Sequence, residues 1–115
     1  MTVGSGAASS QLDGWSHYCT TKGDVHHLNA CLDLELRNKS IRALVISPGT
    51  VATDMQKQIK KSGINPVSKM DGGDHIPSEW VAKCLVWMCR KDSDRYLGKV
   101  VSLREESIRK SIGVI

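Results

Sequence analysis

Between positions 15 and about 37, apolar residues recur at helical spacing. Val25, Leu28, Cys31, Leu32 and Leu36 form an i, i+3, i+4 stripe. The stripe predicts one long amphipathic helix with that side packed on a core. Positions 41–47 read differently, because Ile-Arg-Ala-Leu-Val-Ile-Ser is almost continuously apolar. Such a run suits a strand covered on both faces of a parallel sheet, and Pro48-Gly49 stops it. Positions 53–61 predict a short helix. Positions 62–77 carry three glycines and two prolines and predict a mobile loop. A second amphipathic helix opens at Pro77-Ser78-Glu79 and runs to about 90, with Val81, Cys84, Leu85 and Met88 as its apolar stripe. Trp80 and Trp87 lie seven apart on the same side, a spacing that suits core packing or a subunit contact. Positions 92–97 predict a turn and 98–103 a last strand, while Thr2-Val3 reads as the stub of a first one. Positions 104–115 carry no assigned element. Strands alternating with helices predict an α/β fold.

The candidate chemistry sits on these elements. Tyr18 and Lys22 stand four residues apart in Tyr18-Cys19-Thr20-Thr21-Lys22, so they share one helix face. A tyrosine is a useful proton donor to a carbonyl only when its ordinary pKa of about 10 is brought towards the working pH. A lysine one turn away favours the phenolate. Ser5, 13 residues before the tyrosine, stands where it could hold the substrate oxygen beside the phenol. A tyrosine–lysine pair alone recurs by chance, and its bland counterpart is a surface tyrosine, a solvated lysine and a loop serine. Four features in one order are much more specific: the serine, the tyrosine, the lysine and a strand running into Ser47-Pro48-Gly49-Thr50-Val51-Ala52-Thr53.

On these residues the chain resembles the C-terminal half of the short-chain dehydrogenase/reductase family, from Val3 to about Leu103. The matching pieces are Ser5-Gly6-Ala7-Ala8, Gly14-Trp15-Ser16-His17-Tyr18-Cys19, Lys22, and the stretch from Pro48 to Gln56. The resemblance implies that Ser5 orients the substrate carbonyl and that Tyr18 is the general acid/base. It implies that Lys22 supports the tyrosine and binds the nicotinamide ribose. It also implies that Val51 (through its backbone) and Thr53 hold the cofactor's carboxamide, and that Tyr18, Pro48 and Gly49 belong to the cofactor site. NAD or NADP is the implied cofactor, and a small carbonyl or alcohol the implied substrate. Gly14-Trp15 and Thr53-Asp54-Met55-Gln56 look like the sepiapterin reductase branch, which reduces pteridine side-chain ketones and diketones. Gly23 departs from the alanine often found there, and glycine inside a helix costs about 1 kcal/mol.

The family's glycine-rich cofactor turn has no counterpart: the ten glycines never form GxxxGxG or GxGxxG. Backbone approaches a pyrophosphate through such a turn. The expected architecture across residues 1–115 is therefore a partial Rossmann-like parallel sheet with flanking helices, lacking the N-terminal cofactor-binding strands. Weak or no binding of NAD(P) is expected for the isolated chain. An open sheet edge near Val3 is expected to favour self-association.

Composition narrows the remaining classes. At 115 residues the chain makes one domain at most. Its net charge is +4, but Lys57, Lys60 and Lys61 have no interleaved aromatics, so a solvated helix face is favoured over nucleic-acid binding. The four cysteines form no CxxC pair. His27 and Cys31 are four apart, yet His26 points about 100° away from its neighbour, and a structural zinc site wants four ligands, so no metal is expected. Free thiols fit a reducing cytosol. No signal peptide or membrane-length apolar run is present, and a cytoplasmic setting is expected. Two functions stay open: an NAD(P)-dependent oxidoreductase incomplete by itself, and a non-catalytic remnant or interaction protein derived from one.

Overall fold

A computed structural model describes residues 1–70 and 75–115. Three short parallel strands, β1 (Thr2–Val3), β2 (Val45–Ser47) and β3 (Val100–Ser102), form one sheet in the order β1-β2-β3. Thr2 pairs with Val45 and Val3 with Ile46; Val45, Ile46 and Ser47 pair with Val100, Val101 and Ser102. The helices are α1 (Ser16–Leu36), α2 (Asp54–Ser62), α3 (Ser78–Met88) and α4 (Glu106–Ser111). The α/β architecture with a parallel sheet and flanking helices is as the sequence predicts. Of the expected loop, residues 62–77, positions 71–74 lie outside the described residues; Pro66–Lys69 forms a 3-10 turn within it.

The core lies on one face of the sheet. Leu44, Ile46, Val101 and Leu103 pack there against Cys84, Trp87 and Met88 of α3 and Ile108 of α4. Val45, Ile46 and Ser47 are consecutive and all buried, so β2 is covered on both faces, as its apolar run predicts. The strand is shorter than that run, however. Ile41 is exposed, and Arg42 turns to the end of α3. There its guanidinium donates to the carbonyls of Met88 (2.9 Å) and Arg90 (2.9 Å), to Ser93 Oγ (2.8 Å) and to Asp94 Oδ1 (2.7 Å). These bonds satisfy carbonyls left open at the end of α3. Of the α3 stripe, Cys84 and Met88 are buried and Val81 and Leu85 half-buried against the core, where Trp80 and Trp87 also pack.

The stripe of α1 is buried only in part. Val25, Cys31, Leu32 and Leu36 are half-buried and Leu28 is 58% exposed, whereas the most buried positions of the helix are the polar Asn29 and Asp33. Together with Lys22 and His26 these polar residues occupy one helix side at i, i+4, i+7 and i+11 spacing. Its N-terminal half, Lys22 and His26, meets the backbone that leaves β1, while Asp33 pairs with Arg37. Lys22 Nζ donates to the carbonyl of Val3 (3.1 Å), and His26 Nε2 accepts from the amide of Ser5 (3.2 Å). Exposed strand-end amides and carbonyls need polar partners, and an apolar stripe could not supply them. α1 runs unbroken through Gly23. α4 was not visible in the sequence pattern, because six residues carrying a single buried Ile108 are too short to display a period.

Candidate active site

In a parallel sheet, ligands bind in the crevice outside the carboxyl ends of the strands. Here each strand sends a loop to that end. β1 leads to Ser5-Gly6, β2 to Pro48-Gly49-Thr50, and β3 through Leu103 to Arg104. Ser5, Gly49 and Arg104 line one cavity of about 250 Å³, and Tyr18, Trp15 and Met55 close it from α1, its lead-in and α2.

Ser5 leaves β1 in extended backbone and caps the 3-10 turn Gly6–Ser9. Its Oγ accepts from the Ala7 amide at 3.1 Å. Because the hydroxyl is the acceptor there, its own hydrogen is left to donate elsewhere. Tyr18 is half-buried in the first turn of α1, its ring edge-on to Trp15 with centroids 5.4 Å apart. That contact holds the phenol against the cavity wall. Gly49 follows Pro48 with φ of +79°, a left-handed conformation, and a Cβ there would come within 3.1 Å of Ile76 Cδ1. The turn thus needs a glycine to bring its backbone to the cavity.

Three of the seven residues expected in the site, Ser5, Tyr18 and Gly49, therefore meet at one cavity. Lys22 does not line it. Its Nζ lies 5.8 Å from the centroid of the Tyr18 ring and is bonded to Val3 O, so it ties α1 to β1 beside the site. Pro48 is half-buried behind Gly49. Val51 forms a parallel bridge to Ile76, in which Ile76 N donates to Thr50 O (2.7 Å) and Ala52 N to Ile76 O (3.1 Å). In that pattern Val51's own amide and carbonyl face away from Ile76. Thr53 is the N-cap of α2, without a side-chain cap bond, and borders a second cavity of about 360 Å³ with Asp54, Lys57 and His75.

Arg104 was missed. It sits in a stretch without a sequence signal, and only the alignment of the three strand ends brings it to the cavity. Its guanidinium carbon would be 3.9 Å from a Cβ at Gly6, and its Nε 3.9 Å from one at Gly49. Lys57, Lys60 and Lys61 are exposed on α2, with Lys57 paired to Asp54 at 3.2 Å. The four cysteines are free thiols. Burial pushes the Cys84 thiol up to about 11. Among the described residues no group of three metal-ligating side chains is assembled, and no helix is long and apolar enough to cross a membrane.

Known proteins are similar to this chain in sequence and in fold. The family model for the short chain dehydrogenase matches residues 1–63. A benzil reductase ((S)-benzoin forming) of Bacillus cereus is 30% identical over 94 residues, which cover 74% of this chain and 38% of the relative. An acetoacetyl-CoA reductase of Cupriavidus necator is 28% identical over 96 residues, covering 78% of this chain and 37% of the relative. In fold, the crystal structure of a short chain dehydrogenase/reductase from Saccharomyces cerevisiae superimposes with a TM-score of 0.76 at 21% identity, over 94% of this chain and 46% of its own. The chain thus spans less than half the length of these relatives. With more than half of its 115 residues matched by the family model, and with that fold, the chain belongs to the short chain dehydrogenase family.

Proposed function

We propose that this chain carries the catalytic part of an NAD(P)-dependent oxidoreductase of the carbonyl reductase or alcohol dehydrogenase type, acting on a small carbonyl or alcohol. The observation that carries this reading is the convergence of Ser5, Tyr18 and the Gly49 turn on one cavity at the carboxyl ends of the strands. In that cavity Ser5 donates its hydroxyl hydrogen to the carbonyl oxygen and orients it. Tyr18 transfers its phenolic proton to the same oxygen as the carbonyl carbon is reduced. A bound nicotinamide supplies the hydride. The backbone of Val51 and the hydroxyl of Thr53 are the groups for its carboxamide, and Lys22 the group for its ribose. Benzil reductase activity in a relative suits the pteridine and diketone branch suggested by Gly14-Trp15 and Thr53-Asp54-Met55-Gln56. Free thiols suit a cytoplasmic setting.

The nicotinamide end of the cofactor has residues to meet it in this chain, and the pyrophosphate end has no glycine-rich turn. The isolated chain is therefore expected to bind NAD or NADP weakly or not at all. Calorimetry that finds tight, saturable binding would refute this. Joining the chain to the phosphate-binding portion of a relative is expected to give NAD(P)H-dependent reduction of a small diketone. A soluble, cofactor-binding fusion without turnover would leave the second reading, a non-catalytic remnant or interaction protein. That alternative draws on the Lys22 ammonium, which is bonded to Val3 O beside the cavity.

β1 stands at the edge of the sheet with Thr2 and Val3 exposed, Val3 at 53%. Unpaired strand edges recruit other strands, so the isolated chain is expected to self-associate. Sedimentation showing a monomer at all concentrations, together with a cooperative melt, would remove this expectation.

A further inference from the structure

The amides that leave β1 alternate in direction. Gly4 N donates to Ile46 O at 2.7 Å and completes the sheet ladder. The next amide, that of Ser5, points off the ladder and finds its acceptor in the ring of His26, with Nε2 at 3.2 Å. Only a chain without a side chain at position 4 leaves room for that ring. A Cβ on Gly4 would lie 2.1 Å from Nε2 and 2.6 Å from Val45 Cγ1. One helical turn earlier, Lys22 holds the carbonyl of Val3. Two side chains of α1 thus grip the backbone on either side of Gly4, just where β1 delivers Ser5 to the cavity.

We propose that His26 is the positioning residue for Ser5: its neutral imidazole fixes the Ser5 amide, and with it the direction in which the serine hydroxyl meets a substrate oxygen. This rests on the reading that Ser5 orients the carbonyl. Nε2 accepts only when the ring is neutral and the proton sits on Nδ1. A protonated ring presents N–H at both nitrogens and repels the Ser5 amide. The inference therefore carries a pH dependence. Around the ring stand the aliphatic Val45 of β2, the backbone of Gly4 and Ser5, and one acting charge, that of Lys22 on the same helix. Burial first, and the Lys22 charge second, hold the His26 pKa below its usual 6.5. A pKa lowered by folding means that the unfolded chain binds the proton more readily. The contribution is complete above about 6.5 and fades as pH falls towards the lowered folded value.

The test uses the chain itself, labelled with ¹⁵N, and 2,3-butanedione as a probe that does not titrate. Between about pH 8 and pH 5 the Ser5 amide resonance should move with the same midpoint as the His26 ring, below the ordinary histidine value. Affinity for the diketone, followed at Ser5 and Tyr18, should fall about three- to tenfold across that range, the effect of one hydrogen bond. In His26→Gln a side-chain oxygen can accept the same amide without titrating. That variant should bind the probe as the parent does at high pH and show a flat profile. His26→Phe should be weak at every pH. A Ser5 amide that ignores the His26 titration, with identical pH profiles in the parent and His26→Gln, would overturn the positioning role. If the diketone perturbs neither Ser5 nor Tyr18 at any pH, the carbonyl-binding reading fails instead. The Ser5–His26 bond is then judged on the amide titration alone, and without a bound carbonyl its role in positioning one falls too.

Discussion

Replacing Tyr18 by phenylalanine is expected to cut carbonyl reduction about 10²- to 10⁴-fold, the usual contribution of a positioned general acid. The measurement is NAD(P)H oxidation with a diketone, in the chain joined to the phosphate-binding portion of a relative. Phenylalanine keeps the ring that meets Trp15 edge-on and that lines the cavity, so folding and cofactor affinity should change little. Only the transferable proton is lost. Ser5→Ala should cost less, because it removes an orienting bond and leaves the proton donor in place. Lys22→Ala should lower both the rate and cofactor affinity. It should also lower stability, since the same ammonium holds Val3 O. Full turnover in the Tyr18→Phe protein would sink the assigned mechanism, whatever the other two variants do.

The second large effect is on folding. Ile46→Ala is expected to destabilise the chain by about 2–5 kcal/mol, the range for truncating a fully buried isoleucine. Ile46 has no exposure, lies on the central strand, and packs among Leu44, Val101, Leu103 and Met88. Both of its neighbouring strands are pinned by the sheet ladder, which limits how far the site can collapse into the space left. Net stabilities of small domains are only about 5–15 kcal/mol, so one such loss brings this chain close to unfolding at ambient temperature. Urea titration should show a lower midpoint with an unchanged slope. Leu34→Ala on the exposed side of α1 is the control. At 84% exposure it should shift stability by less than about 0.5 kcal/mol. Equal losses in the two variants would mean that α1 covers something in solution through that side.

The sequence by itself determined the elements whose signals are local. The run before Pro48 marked the buried central strand. The period around Cys84 and Met88 marked α3, and the four-residue spacing of Tyr18 and Lys22 put them on one helix. Those patterns depend on neighbours within a turn or a pleat, and such information lies in the order of residues. Which positions of α1 turn inward did not, because the spacing of Leu28 says nothing of what the helix packs against. Strand-end backbone groups of β1, about 20 residues away, are met by Lys22 and His26, a polar side of the helix that the apolar stripe does not mark. Arg104 was hidden for a related reason, since it reaches the cavity only through the parallel register that aligns Ser47 with Ser102. The separation of Lys22 from the cavity that holds Ser5 and Tyr18 is likewise a tertiary fact. Motif spacing assigns residues to a helix face, but the polar groups packed against that face decide where each side chain ends.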